Sequence, residues 1–225
     1  MTTNYKIGYV DENANEVKTY RRKLKKHGFD VIGYEFVKGM SPESLMQQVY
    51  NSDIDLLMID FKLKDSNKVS FNGDVIEHLI YNTKPLFPHV VFTSDKILAE
   101  ATIEDWKILF DKTTIFPDDD DEEENEETIR FIKILKQSIE QYRKYINVRK
   151  ERLAALLQKG KDDGLTGAEK DEALSLQEEL NNLDQSSRNE IPKHLVSIQT
   201  LDNLSESRKK AEEFLQNLKD GNNER

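Results

Sequence analysis

Residues 53–61 read DIDLLMIDF, an apolar run closed by an acid. Ile54, Leu56, Leu57, Met58 and Ile59 form a nearly continuous hydrophobic segment of the kind covered on both faces in a parallel sheet. Asp60 follows at its carboxyl end. In an open α/β sheet the carboxyl ends of the strands face the ligand crevice, so an acid placed there is a candidate for chemistry rather than packing. The first half of the chain reads as scaffolding around this carboxylate.

Upstream, Tyr5–Val10 (YKIGYV) reads as a first strand that runs straight into Asp11 and Glu12. Residues 15–27 have helical spacing, with Val17, Tyr20 and Leu24 on one side and basic residues over the rest, and Gly28 is a stop signal. Residues 29–36 supply a second strand. Ser41 is placed to cap a helix with Pro42 in its first turn, where a missing N–H costs nothing, and Leu45, Met46 and Val49 turned inward. Downstream of Asp60, the polar segment 62–72 leads to Gly73 and a helix carrying Val75, Ile76, Leu79 and Ile80. A fourth strand, HVVFT, ends on Thr93; a short helix covers about 97–106; a brief fifth strand at 108–110 ends at Asp111 and Lys112. Strand and helix alternating through short connections predict an open parallel sheet with helices on both faces.

The 225 residues include no cysteine, which removes disulfides, thiolate nucleophiles and cysteine-ligated zinc. The N-terminus begins a strand almost at once, and no long apolar run occurs, so neither export nor membrane insertion is expected and a cytoplasmic location is. The formal net charge of −10 is poorly matched to a phosphate backbone. Nine acids fall in residues 118–127 (DDDDEEENEE); from residue 128 onward, 18 bases nearly balance 17 acids. The block reads as a solvated connector, or as a negative start to the helix after it, complementing exposed N–H groups there.

Past the block the period changes. Ile132, Leu135, Ile139, Tyr142, Ile146, Arg149, Leu153 and Leu156 are separated by three and four residues in turn, the seam of a long helix packing on another. Arg149 alone is not apolar and has the reach to pair with an acid on a partner helix. Gly160 to Gly164 reads as the turn that ends the helix. Thr166 and Glu169 have capping-box spacing, opening a second helix with Ala173, Leu176, Leu180 and Leu183 on its stripe. A third helix is expected from about Pro192, with apolar residues from Leu195 to Leu218. The expected organisation is therefore 1–117 as an α/β domain, 118–127 as an acidic connector, and 128–225 as a helical interaction or output domain, coiled-coil or bundle-like.

Adjacent strand ends lie about 5 Å apart, so Asp11, Glu12 and Asp60 converge without being neighbours in sequence. Such an all-oxygen cluster suits Mg²⁺ or Mn²⁺. Lys112 adds a fixed cation and Thr93 a hydroxyl, and together they describe a place where a phosphoryl group can sit on Asp60. Lys62 and Asp95 flank that place as a pair able to gate it. His27, His78, His89 and His194 lack ligand spacing.

With YVDE, DLLMID, VVFTSD and FDKTTIFP in this order, residues 5–117 resemble the receiver domain of two-component response regulators. The resemblance implies a doubly wound five-stranded parallel sheet in the order 2-1-3-4-5. It implies Asp60 as the acceptor of phosphate from a histidine kinase or phosphotransfer protein, Asp11 and Glu12 as organisers of the metal, Lys112 as the contact to the acyl phosphate, and Thr93 as the residue that moves to meet it. The chain departs from the family pattern at Glu12, where the second acid is usually Asp, at Thr113, where Pro usually follows the lysine, and in the loop FKLKDSNKVSFNG.

The leading expectation is a phosphorylation switch that alters self-association or effector binding through the C-terminal helices, with no chemistry beyond taking up a phosphoryl group and losing it. The alternative is a phosphate-independent pseudo-receiver acting as an interaction module. A phosphatase of similar topology lacks its second acid, since Lys62 stands at the two-residue offset from Asp60. The helical half offers no Arg/Lys-rich recognition helix for DNA.

Overall fold

The computed structural model describes residues 5–103, 105–117 and 125–183. The chain divides into two compact units, Met1–Lys144 and Tyr145–Arg225. Most of the acidic block and the helix expected at Pro192 lie outside the described residues.

In the first unit, β1 (Tyr5–Val10), β2 (Phe29–Gly33), β3 (Leu56–Ile59), β4 (His89–Thr93) and β5 (Leu109–Asp111) form one sheet in the order β2-β1-β3-β4-β5. Every pairing is parallel. The strands are buried on both faces because alternate residues enter separate cores. Ile7, Tyr9, Leu56, Met58, Val90 and Phe92 point into one, and Val10, Leu57 and Ile59 into the other. This is why the run at 56–59 is apolar throughout instead of alternating.

The first core is closed by α1 (Ala14–Lys25), through Val17, Tyr20 and Leu24, and by Phe131, Ile132, Leu135 and Ile139 of α6 (Glu126–Asp162). The second is closed by α2 (Pro42–Asn51) and α3 (Gly73–Thr83). Ser41 caps α2 by accepting the Ser44 N–H, with Pro42 in the first turn, as its sequence predicts. A third, smaller cluster gathers Phe61, Val91, Ile103 and Leu109 around Ala99 of α4 (Lys96–Glu100), a helix shorter than the spacing at 97–106 predicts.

The seam reading needs correction at its start. Ile132, Leu135 and Ile139, read as the front of a helix-on-helix seam, pack on the sheet. Spacing of three and four residues identifies one apolar face of a helix but not its partner, and here that partner is β-structure. The start of α6 is fixed to the turn just after β5, labelled α5 (Lys112–Ile115). Asn125 Nδ2 donates to Thr114 O at 3.2 Å, and the buried Thr128 hydroxyl donates to Ile115 O.

In the second unit the rest of α6 pairs with α7 (Gly167–Leu183) through cross-helix contacts. Arg149 Nε donates to Glu179 Oε2 at 2.8 Å, which supplies the acid its place in the stripe called for. Arg152 meets Glu172, and Lys159 meets Glu169. The helix does not end at Gly160: it continues to Asp162, with Gly160 buried against Leu165, and the left-handed residue of the turn is Gly164, at φ +83°. Thr166 and Glu169 make the capping box, with Thr166 N donating to Glu169 Oε2 at 3.0 Å and Glu169 N to Thr166 Oγ1 at 3.4 Å.

Candidate phosphoacceptor and divalent-cation site

The β1–β3 register pairs Val10 with Ile59, and Asp60 N donates to Val10 O at 2.8 Å. The two strands therefore end side by side, and Asp11 and Asp60 emerge together. Lys112 opens the turn after β5 and reaches back over the sheet end. Its Nζ lies 3.0 Å from Asp11 Oδ2 and 2.8 Å from Asp60 Oδ1, with all three side chains at most 10% exposed. One ammonium thus bridges two buried carboxylates, the compensation that buried charge requires. Burial disfavours the Lys112 ammonium, yet Asp60 and Asp11 hold its pKa above the ordinary lysine value. Burial pushes the Asp60 carboxyl up, against the pull of Lys112.

The cluster holds one more acid than this ammonium serves. Glu12 Oε2 is buried and has no hydrogen-bond partner among the described residues. Burial, reinforced by Asp11 and Asp60, pushes the Glu12 carboxyl up to about 7. Asp11, Glu12 and Asp60 each offer an oxygen, all within 4.8 Å of one another. An orphaned carboxylate oxygen beside two further acids calls for a cation, and three oxygen donors fit a hard divalent ion such as Mg²⁺ or Mn²⁺. The residues present fit the group.

No protein-family model and no curated protein matches the sequence. Solved structures that resemble the chain include a sensor protein from Polaromonas (14% identity, spanning 62% of this chain and 98% of that one, TM-score 0.45). They also include the Thermotoga maritima response regulator protein TrrA in complex with Mg²⁺-BeF (16%, 58% and 98%, TM-score 0.44) and the Francisella response regulator 1452 receiver domain (14%, 59% and 96%, TM-score 0.40). The chain itself carries the strand order β2-β1-β3-β4-β5, acids after β1 and β3, and a lysine after β5. The fold is receiver-like.

Around these side chains lies a cleft of about 460 Å³, lined among others by Asp11, Glu12, Asp60, Lys62, Ser94 and Lys112. Asp60 Oδ2 accepts the Lys62 N–H at 3.0 Å, while the Lys62 ammonium is turned to Asp95 Oδ2 at 2.8 Å. Thr93 is buried at the end of β4, its hydroxyl accepting the Asp95 N–H at 3.1 Å; Ser94, beside it, lines the cleft. Gly73 opens α3 directly against the Asp60 backbone, where a Cβ would fall 2.4 Å from Asp60 O.

The aromatic wall behind Lys112 is not singled out by the motifs. Its Nζ lies 5.4 Å from the Tyr9 ring centroid and 5.7 Å from those of Tyr20 and Phe92. A signal does exist: with strand period two, Tyr9 shares the face of β1 from which Asp11 follows. Phe92 and Tyr20 sit edge to face at 4.9 Å, and Phe131 of α6 stacks on Phe92 at 5.4 Å, so the wall of the site is continuous with the packing of α6.

Proposed function

We propose that this chain is a response-regulator-like switch in which Asp60 accepts a phosphoryl group from a histidine kinase or a phosphotransfer protein. The observation that supports this best is the ammonium of Lys112 held between Asp60 and Asp11 beside the unpartnered oxygen of Glu12. Lys112 lies within reach of a group carried on Asp60, and a cation held by the three acids would add the further positive charge that such a group needs. An Asp60 carboxylate oxygen attacks phosphorus and forms the new O–P bond as the bond from phosphorus to the donor breaks, its electron pair leaving with the donor. Lys112 stabilises the charge on the transferred group, and Thr93 supplies a hydroxyl at the adjacent strand end. Asp11, Glu12 and Asp60 would hold Mg²⁺ or Mn²⁺, which when bound supplies positive charge to the phosphoryl oxygens.

The output we assign to the helical region is altered self-association or binding of a protein effector. The functional division is 1–117, 118–127 and 128–225, with the first turns of α6 also serving the α/β core. Phe131, seated on Phe92 and Phe110, links the site's wall to that helix.

The test is intact-mass measurement of the full chain after incubation with Mg²⁺ and a small acyl phosphate donor, with Asp60→Ala in parallel. A phosphate-sized increase in the parent that the variant lacks is the expected result. No increase in the parent, under conditions that modify a known receiver, overturns the switch and leaves a phosphate-independent interaction module.

A further inference from the structure

Tyr9 is fully buried, and its hydroxyl donates to Asp11 Oδ2 at 2.7 Å. That same oxygen is 3.0 Å from the Lys112 ammonium, whose nitrogen lies over the Tyr9 ring. Both lone-pair directions of Asp11 Oδ2 are therefore engaged, one by each donor. Asp11 Oδ1 accepts the Asn13 N–H at 2.9 Å, and among the described residues no second hydrogen-bond donor engages it. The phenol gains nothing special as a core group from this placement, since a neutral carbonyl would satisfy it. It has instead been set on a carboxylate that already carries an ammonium, and one residue bonds the acid with its hydroxyl while walling the lysine with its ring.

We propose that Tyr9 is a positioning residue of the divalent-cation site, fixing the orientation of the Asp11 carboxylate that would hold the cation and seating Lys112 against the same Oδ2. The inference rests on the reading of Asp11, Glu12 and Asp60 as that site. Groups that orient a metal-binding carboxylate without touching the metal are worth about 10- to 100-fold in affinity. Tyr9→Phe keeps the ring, and with it the wall, and removes only the donor.

The experiment is titration of the full-length chain with Mn²⁺, reading free Mn²⁺ by electron paramagnetic resonance, for the parent, Tyr9→Phe and Tyr34→Phe. Tyr34 is the control because its hydroxyl is also bonded inside the same unit, to Ser52 Oγ at 2.9 Å, away from the acids. The expected result is Mn²⁺ binding by the parent, roughly ten-fold weaker binding by Tyr9→Phe, and parent-like binding by Tyr34→Phe. Equal affinity in parent and Tyr9→Phe overturns the proposal, as does an equal loss in Tyr34→Phe, which would mark a general effect of loosening the core. A parent that binds no Mn²⁺ overturns the cation site itself, and that failure is distinct because it precedes any comparison of variants. A second readout needs no change at Tyr9: ¹³Cζ-labelled tyrosine in the parent chain. Addition of Mg²⁺ is expected to move a resonance other than the one lost in Tyr34→Phe. Saturation with Mg²⁺ that moves none of the eight tyrosine signals overturns the proposal.

Discussion

Lys62 and Asp95 close an ion pair of 2.8 Å beside Asp60, joining the loop after β3 to the loop after β4. The pairing holds the Asp95 carboxyl below its ordinary range and the Lys62 ammonium above its own, each through the hydrogen bond they share. Because the backbone N–H of Lys62 also binds Asp60 Oδ2, the pair fixes both the side chain and the main chain at the mouth of the cleft. Asp95→Ala releases the Lys62 side chain and opens the mouth to water. The expected outcome is a phosphoryl group on Asp60 that decays several-fold faster, measured as loss of the phosphorylated mass after the donor is removed. An unchanged decay rate would place the pair outside the path of water.

Lys112 carries a second prediction. Removing one partner of a buried ion pair leaves the other charge uncompensated, at a cost of about 3–5 kcal/mol. Lys112→Met strips two carboxylates at once, since Asp11 and Asp60 share the ammonium. The variant is expected to unfold at distinctly lower denaturant than the parent without divalent cation, and to recover part of the difference in Mg²⁺. Denaturant melts with and without Mg²⁺ check both halves; a variant as stable as the parent would mean that the carboxylates find other compensation.

The α/β half was legible in the sequence because its signals are local. The burial of residues 56–59 on both faces, the Ser41-Pro42 helix start and the acids that follow β1 and β3 all follow from neighbouring residues. The site itself required only that strand ends be adjacent. What stayed hidden is what the third dimension decides. The stripe through Ile132, Leu135 and Ile139 is the same whether a helix or a sheet lies opposite. Gly160 reads as a stop, but a helix tolerates a glycine that is packed, and Gly164 takes the left-handed conformation instead. Tyr9 looks like any strand aromatic until its hydroxyl is seen on Asp11.

Thr128 tests the attachment of α6. Its hydroxyl is buried and donates to Ile115 O, while its backbone N–H is capped by Asn125 Oδ1 at 2.7 Å. Thr128→Val keeps the shape and deletes the donor, leaving a carbonyl of the turn after Lys112 without it. The expected loss is about 1–3 kcal/mol, the desolvation cost of a buried acceptor left unmade. Hydrogen exchange should locate the change in residues 112–115 and the first turns of α6. Protection lost evenly across the chain would contradict a local clamp.

Glu169 is expected to make the helical unit sensitive to acid. Hydrogen bonds from Lys159 and from the backbone and hydroxyl of Thr166 pull its carboxyl from an ordinary value of 4.5 down to about 2. A carboxylate with a folded pKa below its unfolded one stabilises the fold fully above the unfolded value, and that contribution is lost as pH falls through the folded one. The window is therefore pH 4.5 down to about 2, with nothing lost between pH 7 and 5. Glu172 and Glu179, lowered by Arg152 and Arg149, act in the same direction. In Glu169→Gln the charge is absent at every pH, so α7 is expected to be less protected than the parent at pH 6 and to approach it near pH 2. Amide NMR signals of α7 followed from pH 6 to 2 in both chains check this, and parallel curves would show that the capping-box charge does not contribute to holding the two helices together.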